Sequence, residues 1–287
     1  MEFNSSFRVA KNEYIKWITN PKMIIIAVMM IFAYDYIILE LTNAADKMGV
    51  KLQIFEGFIG ISNSPLLLMI IPIVFVGLMG DFPRVDSNVM FYIFRVGKFN
   101  WLFGQIIFSV MASATYLLMI LGFSTVLLLG RCYTDNVWSD VTTKYYLFAP
   151  DDYDGKVANI TTGRLYNNIT PVSATISIII LMFLLLLLIS VVLLVGFIFK
   201  IRLVGIVSAT GFICLGNIMI YTENQVRWLF PTTHAMLEIH FDTIYKKPIF
   251  DIRLSYLYYI FIIIILVAVA FLCIDMYDFS KVQELEE

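Results

Sequence analysis

Long uninterrupted apolar runs constrain this chain more than any other feature. About 20 apolar residues in an α-helix, rising ~1.5 Å each, cover the ~30 Å hydrocarbon core of a bilayer. Six runs meet or approach that length: residues 23–42, 65–81, 101–130, 174–199, 203–221 and 254–274. A bilayer core offers no water to bond free backbone N–H and C=O groups, so such runs fold as helices. The expected fold is all-α and polytopic, a single transmembrane domain over residues 1–287 with six membrane helices. Only Lys200, Ile201 and Arg202 separate the fourth and fifth runs. Two cations are expensive at mid-bilayer, so a tight turn at the headgroups is expected there.

Composition agrees and excludes other classes. Hydrophobic residues make up 60% and charged residues 15% of the chain, above the ~45–50% apolar share of soluble domains. The net charge is −2 without a basic run, which removes the electrostatic footprint of a nucleic-acid binder. Cys132, Cys214 and Cys273 are too scattered for a disulfide framework or a metal motif. The first run is too long for a signal-peptide core, carries Asp35 and lacks a small-residue cleavage pattern, so it reads as a retained span.

Six spans put both termini on one side. Lys and Arg are equally numerous on the two sides, but the segments on the N-terminal side are shorter, and Arg8, Lys11, Lys16 and Lys22 precede the first span. Positive charge concentrates on the cytoplasmic side of short loops, which assigns both termini to the cytoplasm. Ahead of the first span, Phe7, Ala10, Tyr14, Trp17 and Ile18 recur at helical spacing, with the cations mostly elsewhere on the wheel and Pro21 ending the pattern. Residues 1–22 therefore predict an amphipathic helix lying in the headgroup plane; a helix docked on the protein itself is the alternative. The extracytoplasmic segments are then 43–64, 131–173 and 222–253. The second, with Trp138, Tyr145, Tyr146, Asp151, Asp152 and Asp154, is long enough for a small ordered cap. The third alternates apolar and polar residues around Pro231 and is expected to dip back into the bilayer as a broken helix, shielded by protein or water.

Chemistry-bearing residues are few. The chain has no phosphate-binding loop, GxSxG or HExxH, so no enzyme and no metal site is read from it. His234 and His240, the two histidines, are read as surface residues of an outer loop rather than as metal ligands. Asp35 lies past the middle of the first span, where an ionised carboxylate costs on the order of 2.5–3.5 kcal/mol. With Tyr34, Tyr36 and Glu40 around it, it is either a cavity-lining or proton-binding acid or a carboxylate satisfied by a neighbouring hydroxyl or water. Gly205 and Ala209 form a small-xxx-small pair suited to close helix packing. Between the second and third spans, residues 82–100 read FPRVDSNVMFYIFRVGKFN, in which Arg84, Asp86, Arg95 and Lys98, with Asp81 just before, alternate with Phe82, Phe91, Tyr92, Phe94 and Phe99. That composition suits an interfacial helix with one face free to dock a partner.

An N-terminal amphipathic helix, six spans with both ends inside, the segment GDFPRVDSNVMFYIFRVGKFNW and a final outer segment with Arg227, Trp228, Phe230 and Pro231 together resemble the membrane subunit of the type 2 ATP-binding-cassette exporter family. The resemblance covers almost the whole chain as an order of elements. It implies that residues 82–100 couple to a separate cytosolic ATPase through Asp81, Arg84, Asp86, Arg95 and Lys98. ATP and Mg would be bound by that partner, leaving no cofactor in this chain. It further implies a second membrane subunit, identical or not, in a multi-pass assembly of the cell membrane, with a substrate pathway at the subunit interface lined by Tyr34, Asp35 and Ile38. Compact relatives of this kind export phenol-soluble modulins or bacteriocins, so an amphipathic cargo, a peptide or else a lipid or drug, is the expectation. Two rivals stay open: a non-transporting sensor, immunity protein or scaffold, and a proton-coupled carrier using Asp35.

Overall fold

The structure is a computed structural model, and it describes residues 3–84, 93, 95–150, 156–222, 224–242 and 247–276. Helix α1 (Phe3–Ile18) packs one face on the rest of the chain, burying Ser6, Val9, Ala10, Glu13 and Trp17. Asn20 then accepts the Lys22 N–H at 2.9 Å, and with Pro21 starting the next helix this breaks α1 from α2 (Pro21–Met48). At ~1.5 Å per residue α2 is ~42 Å long, more than a hydrocarbon core, so it projects beyond it. It ends at Gly49, whose φ of +65° is the left-handed closing conformation glycine adopts readily. Within α2, Tyr34–Ile38 forms a widened, π-helical turn.

The second span departs from expectation. The apolar run 65–81 forms α4 (Pro65–Leu78), but residues read as an outer loop form α3 (Glu56–Asn63), bent 84° from α4. The break is written in Asn63-Ser64-Pro65: a residue before proline avoids helical backbone, and Ser64 is extended at φ −74°, ψ 120°. Every residue of α3 is buried. Gly60 is the reason it can lie so deep, since a Cβ there would sit 2.5 Å from Ile160 and 2.9 Å from Ile37.

The remaining spans follow the apolar runs to within a turn: α5 (Lys98–Leu128), α9 (Pro171–Ile198), α10 (Arg202–Ile220) and α12 (Ile252–Cys273). Among the described residues five helices are thus long and apolar enough to cross a membrane, and a sixth if α3 and α4 count as one bent span. The chain is an all-α polytopic membrane protein. Of these helices α9 is the most buried, packing against α5, α10, α12 and the α3–α4 pair, whereas α12 leaves most of its surface open. The turn between α9 and α10 is as tight as the sequence requires. Lys200 adopts φ +61°, and Gly196 and Gly205 meet backbone to backbone, where a Cβ on Gly196 would come within 2.9 Å of the Gly205 Cα.

The described residues of the three segments 43–64, 131–173 and 222–253 gather at one end of the bundle, the far end. A two-residue parallel ladder pairs β1 (Leu52–Gln53) with β2 (Cys132–Tyr133), a small addition to the all-α expectation. Short helices α6 (Asp140–Phe148), α7 (Lys156–Ile160) and α8 (Gly163–Tyr166) build the cap. Glu56 holds it: its carboxylate accepts the Ser139 N–H and hydroxyl, both at 2.7 Å, and the Gln53 N–H at 3.3 Å. Arg131 pairs with Asp46 at 3.0 Å, and the Trp138 indole donates to the Ile169 carbonyl at 2.7 Å. The described residues of 222–253 form short turns on either side of α11 (Pro231–Ala235), with Phe241 bridged antiparallel to Pro248, a hairpin.

Candidate functional site

At the opposite, near end, charged residues from four places in the chain converge below α4. The Arg202 guanidinium, at the start of α10, donates to the Gly80 carbonyl at 2.7 Å. Asp81 takes the Lys22 ammonium, at the start of α2, at 2.5 Å. The Arg84 guanidinium donates to the Lys16 carbonyl near the end of α1 at 3.0 Å. Phe82 is buried beneath them, its ring 5.3 Å from Phe108 of α5, and Trp17 of α1 meets the same Phe108 at 6.3 Å. The bound Lys22 ammonium holds the Asp81 carboxyl below the usual carboxylate range against a smaller opposing effect of burial, with Arg84 and Arg202 assisting. Both partners of the Asp81 pair are about half exposed, so its Coulomb energy is well screened and its value is positional. Of the other residues in this set, Lys98 donates to the Asp275 carbonyl at 3.3 Å, beside the end of α12. Arg95 is exposed, and Asp86 lies outside the described residues.

The residues expected on a substrate pathway occupy the π-helical turn. Asp35 is exposed, Tyr34 is half-buried and Ile38 is fully buried, its side chain 3.6 Å from where a Cβ on Gly57 of α3 would sit. Asp35 and Ile38 therefore do not share a surface in the single chain: the added residue of a π turn shifts the register of all that follows. Phe32 and Tyr36 stack at 5.7 Å beside Asp35. The face that runs up to Asp35 is open, with Ile24, Val28 and Ile31 each more than 60% exposed.

The third cluster corrects the reading of the histidines. His234 and His240 are buried, at 1% and 0% exposure, not on the surface. Their apolar neighbours, Ala235, Met236, Leu237, Ile239 and Phe241, were the available sequence signal, since a histidine surrounded by such residues shares their burial. The Ser255 hydroxyl, at the start of α12, lies 2.9 Å from His234 Nδ1 and 2.8 Å from His240 Nε2. The other nitrogen of each ring meets a backbone carbonyl: His234 Nε2 at Trp228, 2.7 Å, and His240 Nδ1 at Met236, 2.9 Å. Trp228, Phe250 and Tyr258 enclose the pair, with Tyr258 stacked on His234 at 4.1 Å and Phe250 stacked on Trp228 at 4.2 Å. The Tyr258 and Tyr259 hydroxyls donate to the Leu229 and Pro231 carbonyls at 2.7 and 2.5 Å, pinning the hairpin to α12. Burial pushes both histidines down to about 4.

Beside this cluster the Glu238 carboxylate accepts the Thr162 hydroxyl at 2.6 Å, and its N–H donates to Asn63 of α3 at 3.0 Å. Burial raises its carboxyl above the ordinary value of 4.5, against the Thr162 bond and the nearby Arg164 charge. All three far-end segments thus meet at Glu238. No group of three or more His, Cys, Asp and Glu side chains that could hold a metal occurs among the described residues. Comparison with protein-family models, with curated proteins and with solved structures returned no match for this chain.

Proposed function

We propose that the chain is the permease subunit of an ATP-driven exporter of the type 2 ATP-binding-cassette kind, moving an amphipathic substrate such as a peptide out of the cytoplasm. The observation that carries this reading is the near-end corner. A stretch of five residues, Gly80 to Arg84, bonds to α1, to the start of α2 and to the start of α10. A push on the segment that follows it is therefore transmitted to three helices at once rather than absorbed by a loose loop. In this reading the near end faces the cytoplasm of a cell-membrane assembly. Residues 82–100 dock a separate ATPase, which holds ATP and Mg, and a second permease subunit covers the open face of α2 next to Asp35. The exposed stripe Phe3, Phe7, Arg8, Lys11 and Ile15 of α1 rests on the headgroups. Closure of two ATPases tilts the paired subunits between two packings and opens the pathway outward.

Affinity purification from the native membrane in mild detergent tests this directly. A soluble polypeptide with a phosphate-binding loop should co-purify at equal stoichiometry, and charge reversal at Arg84 and Arg95 should release it. A chain that purifies without such a partner removes the motor, and with it the exporter reading.

A further inference from the structure

The far-end histidines aim two nitrogens at one hydroxyl. Carbonyl oxygens only accept, so the Trp228 carbonyl takes the Nε2–H of His234 and the Met236 carbonyl takes the Nδ1–H of His240. In neutral rings the opposite nitrogens, His234 Nδ1 and His240 Nε2, then carry bare lone pairs facing Ser255 Oγ. Ser255 has one hydroxyl proton to donate. It satisfies one ring and leaves the other lone pair against an oxygen lone pair at hydrogen-bonding distance. One added proton turns that contact into an N–H donating to Oγ, and all four contacts of the pair become donor to acceptor. A second proton would place N–H groups on both sides of Oγ, leave the Ser255 proton without its ring acceptor and set two cations against each other.

We propose that His234, Ser255 and His240 form a binding site for a single proton, taken from water at the far end and shared between the two rings through the hydroxyl. The hairpin carries Arg227, Glu238, Asp242, Lys247 and, as the N-cap of α12, Asp251; α12 carries Arg253, Tyr256, Tyr258 and Tyr259; and α8, packed on Glu238–His240, carries Arg164 and Tyr166. Helices α4, α9 and α10, packed behind the hairpin, bring no charged residue except Arg202 at the opposite end, and one thiol, Cys214. Arg227, whose guanidinium lies 5.2 Å from the Trp228 ring, disfavours positive charge at His240, as does His234 itself. Burial and these neighbours resist a second proton more than a first, because the first alone gains the missing bond. Uptake of the proton adds a hydrogen bond between the hairpin and α12. Nothing in this geometry depends on what drives transport.

The chain contains two histidines, so selective nitrogen-15 labelling of histidine places every imidazole signal in this site. The experiment is a pH titration of the full chain in lipid nanodiscs, read by the ring nitrogen shifts. At neutral pH the two rings should show opposite neutral tautomers. On acidification one ring's worth of imidazolium should develop while a second ring's worth stays neutral, and Ser255→Ala should move that step to lower pH, with Ser255→Thr restoring it. Like tautomers in both rings, two rings charging together, no charging before the fold is lost, or a step indifferent to Ser255→Ala would each overturn the proposal.

Discussion

Replacing Gly104 with valine tests how α1 is held. Gly104 lies on α5 where α1 crosses it, and a Cβ there would sit 2.8 Å from the Ser6 carbonyl oxygen and the Val9 Cβ, and 2.9 Å from Val9 Cγ1. Non-bonded carbon atoms settle at ~3.5–4.0 Å, so the helices must separate by about 1 Å. The flexible end of a side chain cannot absorb the shift, because a backbone oxygen is among the atoms met. Overpacking of this sort costs about 1–3 kcal/mol, which is about a 5- to 150-fold change in an equilibrium constant. The strain falls on the contacts beyond it, the 2.9 Å bond between the Tyr14 and Thr115 hydroxyls and the Trp17–Phe108 edge contact. Backbone hydrogen exchange in nanodiscs should therefore accelerate by that factor across α1 and leave α9 unchanged. Gly122→Val is the matched control, since it lies on the same helix with nothing within 4 Å of its Cβ. Unchanged exchange in α1 for Gly104→Val, or equal acceleration for both variants, refutes the docking argument.

Three further changes probe the other sites. Glu56→Gln keeps the shape but replaces one accepting oxygen with an amide NH2 facing donors on Ser139 and Gln53; such an unsatisfied buried contact costs about 1–3 kcal/mol, and a lowered melting temperature with faster proteolysis between residues 131 and 150 should report it. Because burial raises the folded-state pKa of Glu238 above 4.5, the stability this group contributes is full below that value and is lost as pH rises through the raised one. Glu238→Gln, which can still accept from Thr162, should thus melt higher than wild type at neutral pH and converge with it in acid, and parallel melting curves would contradict the assignment. Asp35→Asn, at an exposed position, should shift stability by less than about 0.5 kcal/mol and weaken but not abolish ATP-driven transport in proteoliposomes. Complete loss of transport with ATP present would favour proton coupling through Asp35.

What was legible in the sequence follows from what the membrane enforces. The runs behind α5, α9, α10 and α12 could be read because a bilayer admits no other structure for ~20 apolar residues. The Lys200–Arg202 turn was legible for the same reason, and Gly205 for its small size, although its partner proved to be the Gly196 backbone. Helix α3 was missed because Glu56–Asn63 is short and carries Glu56 and Asn63, and the bonds that bury it come from Ser139 and the Glu238 N–H, far along the chain. The π turn at Tyr34–Ile38 leaves no sequence periodicity to detect. At the near end the charged residues were legible as a group, but their partners lie 59, 68 and 122 residues away, separations that no local pattern encodes. The histidines were misread since polarity alone was weighed, not the company of Met236, Leu237 and Ile239.

The break at Ser64 has a consequence for how the protein meets its bilayer. At ~1.5 Å per residue, the 14 residues of α4 span ~21 Å, about 9 Å short of a typical hydrocarbon core. That shortfall is filled by α3, lying across the end with every residue buried, so α4 is matched to protein rather than to acyl chains in the far leaflet. Hydrophobic mismatch, which costs fractions of a kcal/mol per Å and makes spans tilt as lipids lengthen, acts instead on the full-length α5, α9 and α12. Lengthening the lipid should therefore tilt those helices around a second span that keeps its depth.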